Sequence, residues 1–181
     1  MPRARAASLA HKEKPKVLVA ATGHRPNKLG GFDNAEADKR LRLIAHSYLI
    51  KPHPQSFQIS GVITGMALGW DQRVAEAALL AGIPFIAAVP FAGQESKWPP
   101  RAQRIYRELL AQAHGVVTVS PGPYDPAKMH TRNEWMVDHA DKIMALWNGD
   151  ETGGTAACVR YAQAKNKPID NLWNEFCPSP A

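Results

Sequence analysis

The residues best suited to chemistry are Gly153-Gly154-Thr155, which stand between an apolar run, Lys142 to Trp147, and a stretch of helical spacing, Thr155 to Lys165. A strand, a glycine turn and a helix start, in that order, make a natural anion site. Glycine lets the backbone approach an oxyanion closely, and the free N–H groups and dipole of a helix N-terminus favour negative charge. The Thr155 hydroxyl is one more donor, and Gly149 supplies a turn just upstream. The same residues would also serve as a plain helix cap, so the phosphate reading depends on what surrounds them.

Three other groups support it. Gly65-x-x-x-Gly69-x-Asp71 lies between a strand and a helix, where glycines again permit close approach. Asp71 there either accepts hydrogen bonds from a ribose or base, or simply favours the helix N-terminus electrostatically. Thr22-Gly23-His24-Arg25 follows the first strand: Arg25 suits a phosphate, and His24 a polar contact or acid–base group. Arg132-Asn133 opens a helix after a long loop. From there an Arg reaches over the strand ends to clamp an anion, unless it pairs with Glu134 or Asp138 at the surface. Phe91, Gln94 and Trp98 share one loop, and Trp98 either closes over a base or packs beneath the loop against the next helix. The spacing is not Gly-x-Gly-x-x-Gly, which excludes a standard nicotinamide dehydrogenase.

These residues need a scaffold, and the apolar pattern supplies one. Strands are expected at Lys16–Ala21, Gln58–Thr64, Phe85–Val89, Gly115–Val119, Lys142–Trp147 and Pro168–Leu172. Helices are expected at Asn34–Ile50, Gly69–Ala81, Arg101–Ala113, Thr131–His139 and Thr155–Lys165. Short apolar strands, each followed by a helix, indicate a parallel sheet covered on both faces, with ligands bound at the strands' carboxyl ends. The polar candidates above fall at those ends.

Composition narrows the classes. The 181 residues suffice for one domain with a substantial core, and 45% apolar with 21% charged residues is ordinary for a globular chain. No apolar run spans a membrane, and the basic start has no apolar centre like that of a secretory signal. Cys158 and Cys177 form no disulfide framework, and the seven histidines no metal-ligand pattern, so a reducing cytoplasm and no metal or cofactor are expected. A net charge of +6 suits a phosphate-bearing partner, nucleotide or nucleic acid, although Arg3, Arg5, Lys12, Lys14 and Lys16 supply part of it.

Taken in order, the motifs resemble the SLOG superfamily of Rossmann-like domains, above all its YpsA-like branch. The match runs through Thr22–Pro26, Gly65 with Gly69-Trp70-Asp71, Pro90-Phe91 with Gln94 and Trp98, and Arg132-Asn133 with Met136-Val137-Asp138. It ends with Trp147-Asn148-Gly149 leading to Gly153-Gly154-Thr155. The resemblance implies a nucleotide-related ligand at the glycine loops and a homo-oligomer. The wider superfamily includes cytokinin-activating phosphoribohydrolases, the DNA-processing protein DprA and sensors of NAD-derived signals. The phosphoribohydrolases read Gly-Gly-x-Gly-Thr-x-x-Glu, with the Glu catalytic. Aligning Gly154-Thr155 on that Gly-Thr puts Cys158 in the place of the Glu, and Arg132 on their substrate-contacting Arg. The anion contact is then kept and the catalytic carboxylate lost, with Glu95 or Glu134 as substitutes.

The expectation is therefore a three-layer, Rossmann-like α/β domain over residues 15–173, with a mostly parallel sheet of five to six strands. It lies between a basic tail (1–14) and a C-terminal tail (174–181). Binding or sensing of a nucleotide-derived molecule ranks first, N-glycosidic hydrolysis of nucleoside monophosphates second, and DprA-like binding of single-stranded DNA third.

Overall fold

The computed structural model describes residues 14–53 and 57–177. The expected basic tail up to residue 13, Pro54, and residues 178–181 lie outside these. Six strands form one sheet: β1 (Lys16–Gly23), β2 (Gln58–Thr64), β3 (Phe85–Val89), β4 (Gly115–Thr118), β5 (Lys142–Leu146) and β6 (Ile169–Asn171). Five helices alternate with them: α1 (Ala35–Ile50), α2 (Trp70–Leu80), α3 (Pro100–Gln112), α4 (Pro126–His139) and α5 (Gly153–Ala164). The spatial order is β4-β3-β2-β1-β5-β6, and every neighbouring pair is parallel, so the sheet is wholly rather than mostly parallel.

A parallel sheet is covered on both faces, which is why its strands read as continuous apolar runs. Val19, Ala21, Val62 and Ala87 pack on one side with α1, α2 and α3. Ala20, Ile63, Ala88 and Ile143 pack on the other with α4 and α5. All five residues of β5 are buried. Its one charge, Lys142, meets Asp170 at 2.9 Å. Among the described residues no helix is long and apolar enough to cross a membrane.

Two differences from the sequence reading go beyond a shift of one or two residues at an element's end. The helix expected from Thr131 starts at Pro126, because Asp125 caps it by accepting from the Ala127 N–H at 2.8 Å. Proline at the first helical position leaves no donor unsatisfied. Residues 174–177, expected as the start of a tail, follow on from a helical turn, α6 (Trp173–Phe176). Trp173 and Phe176 pack against the core, and tryptophan and phenylalanine offer enough apolar area to hold so short a helix in place.

The chain runs outward from β1 to β4, and α4 then returns it to β5 on the other side of β1. The switch point lies between β1 and β5, where open α/β sheets bind ligands. It places the loop after β1 beside the glycine loop after β5. The outer edges are short: β4 has four residues, with Val116 exposed, and β6 has three.

Close packing near the switch point is testable at Gly23. A Cβ there would lie 2.7 Å from Cβ of the fully buried Trp70. Gly23→Ala is expected to lower stability by about 1–3 kcal/mol in urea unfolding. An unchanged midpoint would mean that Trp70 can move aside.

Candidate functional site

The loops after β1 and β5 are joined across the switch point. The His24 N–H donates to Leu146 O at 3.2 Å, and the Thr155 hydroxyl donates to Gly23 O at 3.0 Å. Lys28 and Asp150 form an ion pair, and the Lys28 ammonium holds the Asp150 carboxyl well below the usual carboxylate range. The Nε2 of His24 lies 2.7 Å from Asn148 Oδ1 and 3.1 Å from Asn148 N. Whichever tautomer is present, that nitrogen is engaged. Burial lowers the His24 pKa, so the ring is a neutral fastener between loops at physiological pH.

Two of the expected ligand glycines serve internal packing instead. Gly69 has φ +93, and a Cβ there would lie 2.7 Å from His24 O. The next residue, Trp70, donates its N–H to the same carbonyl at 3.3 Å, so the β1 loop closes the start of α2. A Cβ on Gly65 would run into the Arg132 guanidinium and lie 2.9 Å from Asp71 Oδ2. The following residue, Met66, is buried at φ +57, a region rarely occupied by residues other than glycine. The backbone does approach a charged group closely here, and that group belongs to the protein.

Arg132 reaches over the strand ends, as the sequence suggested, but its guanidinium is buried rather than paired at the surface with Glu134 or Asp138. Its Nη1 donates to Gly65 O and, at 3.5 Å, to Ala88 O. Its Nε donates to Asn133 Oδ1 at 2.9 Å, and Asn133 Nδ2 donates to Gly154 O at 3.2 Å. Asp71 sits beside this cation and accepts from the Ala67 N–H at 3.4 Å. Burial nonetheless dominates and pushes the Asp71 pKa up to about 6, against the pull of Arg132. Gln94 is also turned inward, donating to Gly65 O at 3.4 Å and Met66 O at 3.3 Å.

Trp98 takes the packing role, edge-on to Tyr106 of α3 at 5.3 Å. Phe91 is buried and meets Tyr124 edge-on. Thr22 is buried and hydrogen-bonds Cys158, whose thiol burial pushes up to about 11. Neither carboxylate proposed as a substitute for the missing Glu is well placed: Glu95 is paired with Arg107 at 3.2 Å, and Glu134 is exposed.

The loop from Gly149 to Gly154 stays open. A Cβ on Gly149 or Gly153 would meet nothing within 4 Å, and Gly154 has only Asn133 Nδ2, at 3.9 Å. Thr152, at the N-cap of α5, gives no side-chain cap; its hydroxyl and N–H both go to Asp150 Oδ1. The first turn of α5 therefore starts without a side-chain cap, with Gly153 and Gly154 exposed. The exposed Arg25 makes no side-chain ion pair or hydrogen bond among the described residues. In the sequence reading Asn148 has a place only within the Trp147-Asn148-Gly149 motif, and Asp150 has none. Asn and Asp are the side chains that bond nearby backbone N–H groups in turns, which was the available signal.

With that geometry in view, the comparisons decide the family. The YpsA model, described as the YspA SLOG family, matches residues 19–173. The chain belongs to this family. The uncharacterized SPbeta prophage-derived protein YoqJ of Bacillus subtilis is 33% identical over 117 residues, covering 56% of this chain and 68% of that protein. The UPF0398 protein YpsA of B. subtilis is 27% identical over 159 residues, covering 83% and 86%. Among solved structures, DprA from Streptococcus pneumoniae shares the fold with a TM-score of 0.60 at 16% identity, over 91% of this chain and 54% of that one. DprA from Helicobacter pylori, whose structure was determined for its single-stranded DNA binding mode, gives 0.57 at 18% identity, over 84% and 63%. The chain thus spans a little over half of each DprA.

Two outcomes follow from the buried groups. Under native conditions a disulfide reagent should modify the exposed Cys177 quickly and the buried Cys158 only on unfolding; two fast thiols would place Cys158 at the surface. Asp71 binds its proton more tightly in the folded protein than a free aspartate does, with its pKa raised from 3.8 to about 6 by burial. Its contribution to stability is therefore complete below about pH 4 and is lost as pH rises through about 6, by on the order of 2–3 kcal/mol. Asp71→Asn should flatten that part of a stability–pH curve, and an unaltered slope would mean that Asp71 titrates alike in the folded and unfolded chain.

Proposed function

We propose that the protein binds a nucleotide or nucleotide-derived small molecule, with phosphate at the first turn of α5. The observation that carries this is the contrast among the loops. The glycines at Gly23, Gly65 and Gly69 are filled from within, whereas the loop through Gly149, Gly153 and Gly154 is open and leads into an uncapped helix start. Backbone N–H groups at such a start hold phosphate without a basic side chain, and Arg25 adds a free charge beside the switch point.

The residues around the loop then have supporting roles. Thr155 spends its proton on Gly23 O, so it fixes the loop to β1 rather than donating to the ligand. Asn133 donates to the Gly154 carbonyl and so ties the first turn of α5 to α4. Arg132 steadies Asn133 from the buried side. The single-stranded DNA binding mode of the structurally similar H. pylori DprA supports a ligand of phosphate chemistry and no more than that.

Hydrolysis of an N-glycosidic bond is the second reading, favoured by Asp71 alone. A buried carboxyl with a pKa of about 6 next to a guanidinium is suited to proton transfer near neutrality. Cys158 is neutral at that pH and cannot stand in for a carboxylate.

Gly154→Asp separates these ideas. The position has ordinary φ and room for a side chain, and a carboxylate at a helix N-terminus favours folding. Binding of AMP, ADP-ribose, NAD or a cyclic nucleotide to the wild-type protein should raise its melting temperature, since ligand at about 100 times its Kd adds about 2.7 kcal/mol. Gly154→Asp should fold as well or better and lose that response. A full response in the variant would remove α5 from the site. Chromatography of nucleoside monophosphates after long incubation should show no free base; base release abolished by Asp71→Asn would put hydrolysis first.

A further inference from the structure

A second cavity lies away from the glycine loops and stands without them. Where α1 ends and β5 begins, a space of about 390 Å³ opens over β6. Tyr48 and Lys51 border it from the end of α1, His53 from the connection to β2, and Lys142 and Asp170 from the two strands. Ile169 and Leu172 give it an apolar wall. A space of this size, apolar on one side and polar on the other, suits a small molecule.

One atom of the wall has no partner. His53 is buried, stacked on Phe57 at 4.2 Å and edge-on to Tyr48 at 5.0 Å. Its Nε2 makes no hydrogen bond among the described residues. A buried ring nitrogen in that state costs stability unless something in the adjoining space meets it. Burial, and then the Lys51 charge, lower the His53 pKa; Lys142 adds to them, and the Tyr48 backbone and Asp170 oppose. The ring is therefore neutral at physiological pH.

The charges around it are already matched within the protein. Lys142 meets Asp170 Oδ2 at 2.9 Å, and the Tyr48 hydroxyl donates to the same oxygen at 2.7 Å. Lys51 lies 3.9 Å from Glu175 and 5.0 Å from the centre of the Tyr48 ring. The Asn171 side chain is spent on the backbone of Trp147 and Trp173. Three groups are left for a ligand. Asp170 Oδ1 accepts no hydrogen bond among the described residues, the Lys51 ammonium is held only loosely, and His53 Nε2 is unpaired. Together they offer hydrogen bonds without net charge, and an added ion would have to break one of the two ion pairs. A hydroxyl both donates and accepts. Adjacent hydroxyls therefore meet a carboxylate oxygen, an ammonium and an imidazole nitrogen at once, with their C–H groups on Ile169 and Leu172.

We propose that this cavity binds a neutral polyhydroxylated small molecule, a sugar or cyclic polyol, held by His53, Lys51 and Asp170.

Nitrogen NMR of the histidine rings in the full chain tests this. Ribose, glucose or myo-inositol should move the His53 Nε2 resonance saturably, at least one of the three doing so. Inorganic phosphate and glycine at the same concentrations should leave it in place. Lys51→Met keeps the stem over Tyr48 and removes the ammonium, so it should weaken sugar binding about tenfold with the melting temperature held. His53→Phe keeps the stack on Phe57 and removes the unpaired nitrogen. It should melt no lower than the wild-type protein without sugar, and should lose the sugar-induced rise in melting temperature. If His53→Phe melts lower, the affinity of Lys51→Met decides. Gly154→Asp should leave the sugar response whole, and Lys51→Met the nucleotide response, so either site can fail alone. The proposal is overturned by no saturable shift with any of the three sugars, by a shift that phosphate or glycine alone produces, or by sugar affinity unchanged in Lys51→Met.

Discussion

The Arg132 guanidinium is a full positive charge under the carboxyl ends of β2 and β3, and a charge so placed must be met by acceptors. Much of the edge is organised to meet it. Gly65 has no side chain because the guanidinium occupies that space, and Met66 follows in a strained conformation as the chain turns away. Asp71 compensates the charge without a close ion pair, and Asn133 takes the Nε proton and passes the constraint on to Gly154. A side chain from α4, on one face of the sheet, thereby fixes two strand ends and the glycine loop of α5. Loss of one partner in such a set leaves the others buried and unpaired, which costs more than the set contributes when whole.

Much of the architecture could be read from the sequence because it depends on local signals. Apolar runs such as Phe85–Val89 and 143–146 have no polar face, which identifies strands buried on both sides. Asn34 and Gly82 mark helix ends through their own backbone preferences. The start of α4 was misjudged because Pro121, Pro123 and Pro126 look alike in sequence. Only the cap at Asp125 makes the third a first helical residue rather than another loop proline.

The site was less legible, for a different reason. A glycine flanking a strand shows that something comes close to the backbone, but not what. At Gly65 it is Arg132, at Gly69 the carbonyl of His24, and at Gly23 the ring of Trp70; at Gly153 it is nothing within the protein. The three partners lie 67, 45 and 47 residues away along the chain, and no local pattern encodes such contacts. The hydroxyl of Thr155 is a similar case, since its acceptor on Gly23 lies 132 residues earlier in the chain. The Trp98 indole was open to two uses until α3 supplied Tyr106 as its neighbour.

The two ends of the sheet carry a consequence for self-association. A strand at an edge presents unpaired backbone groups, and a long flat one invites a second chain to continue the ladder. Here β4 offers four residues and β6 three, and the burial of β4 alternates along its length. So few rungs give a second copy little to grip, and a continuous sheet across two molecules would be held mainly by whatever side chains happened to meet beside it. Any assembly this chain enters must therefore draw its area from helix faces, and its symmetry will be set by how those helices cross rather than by strand register.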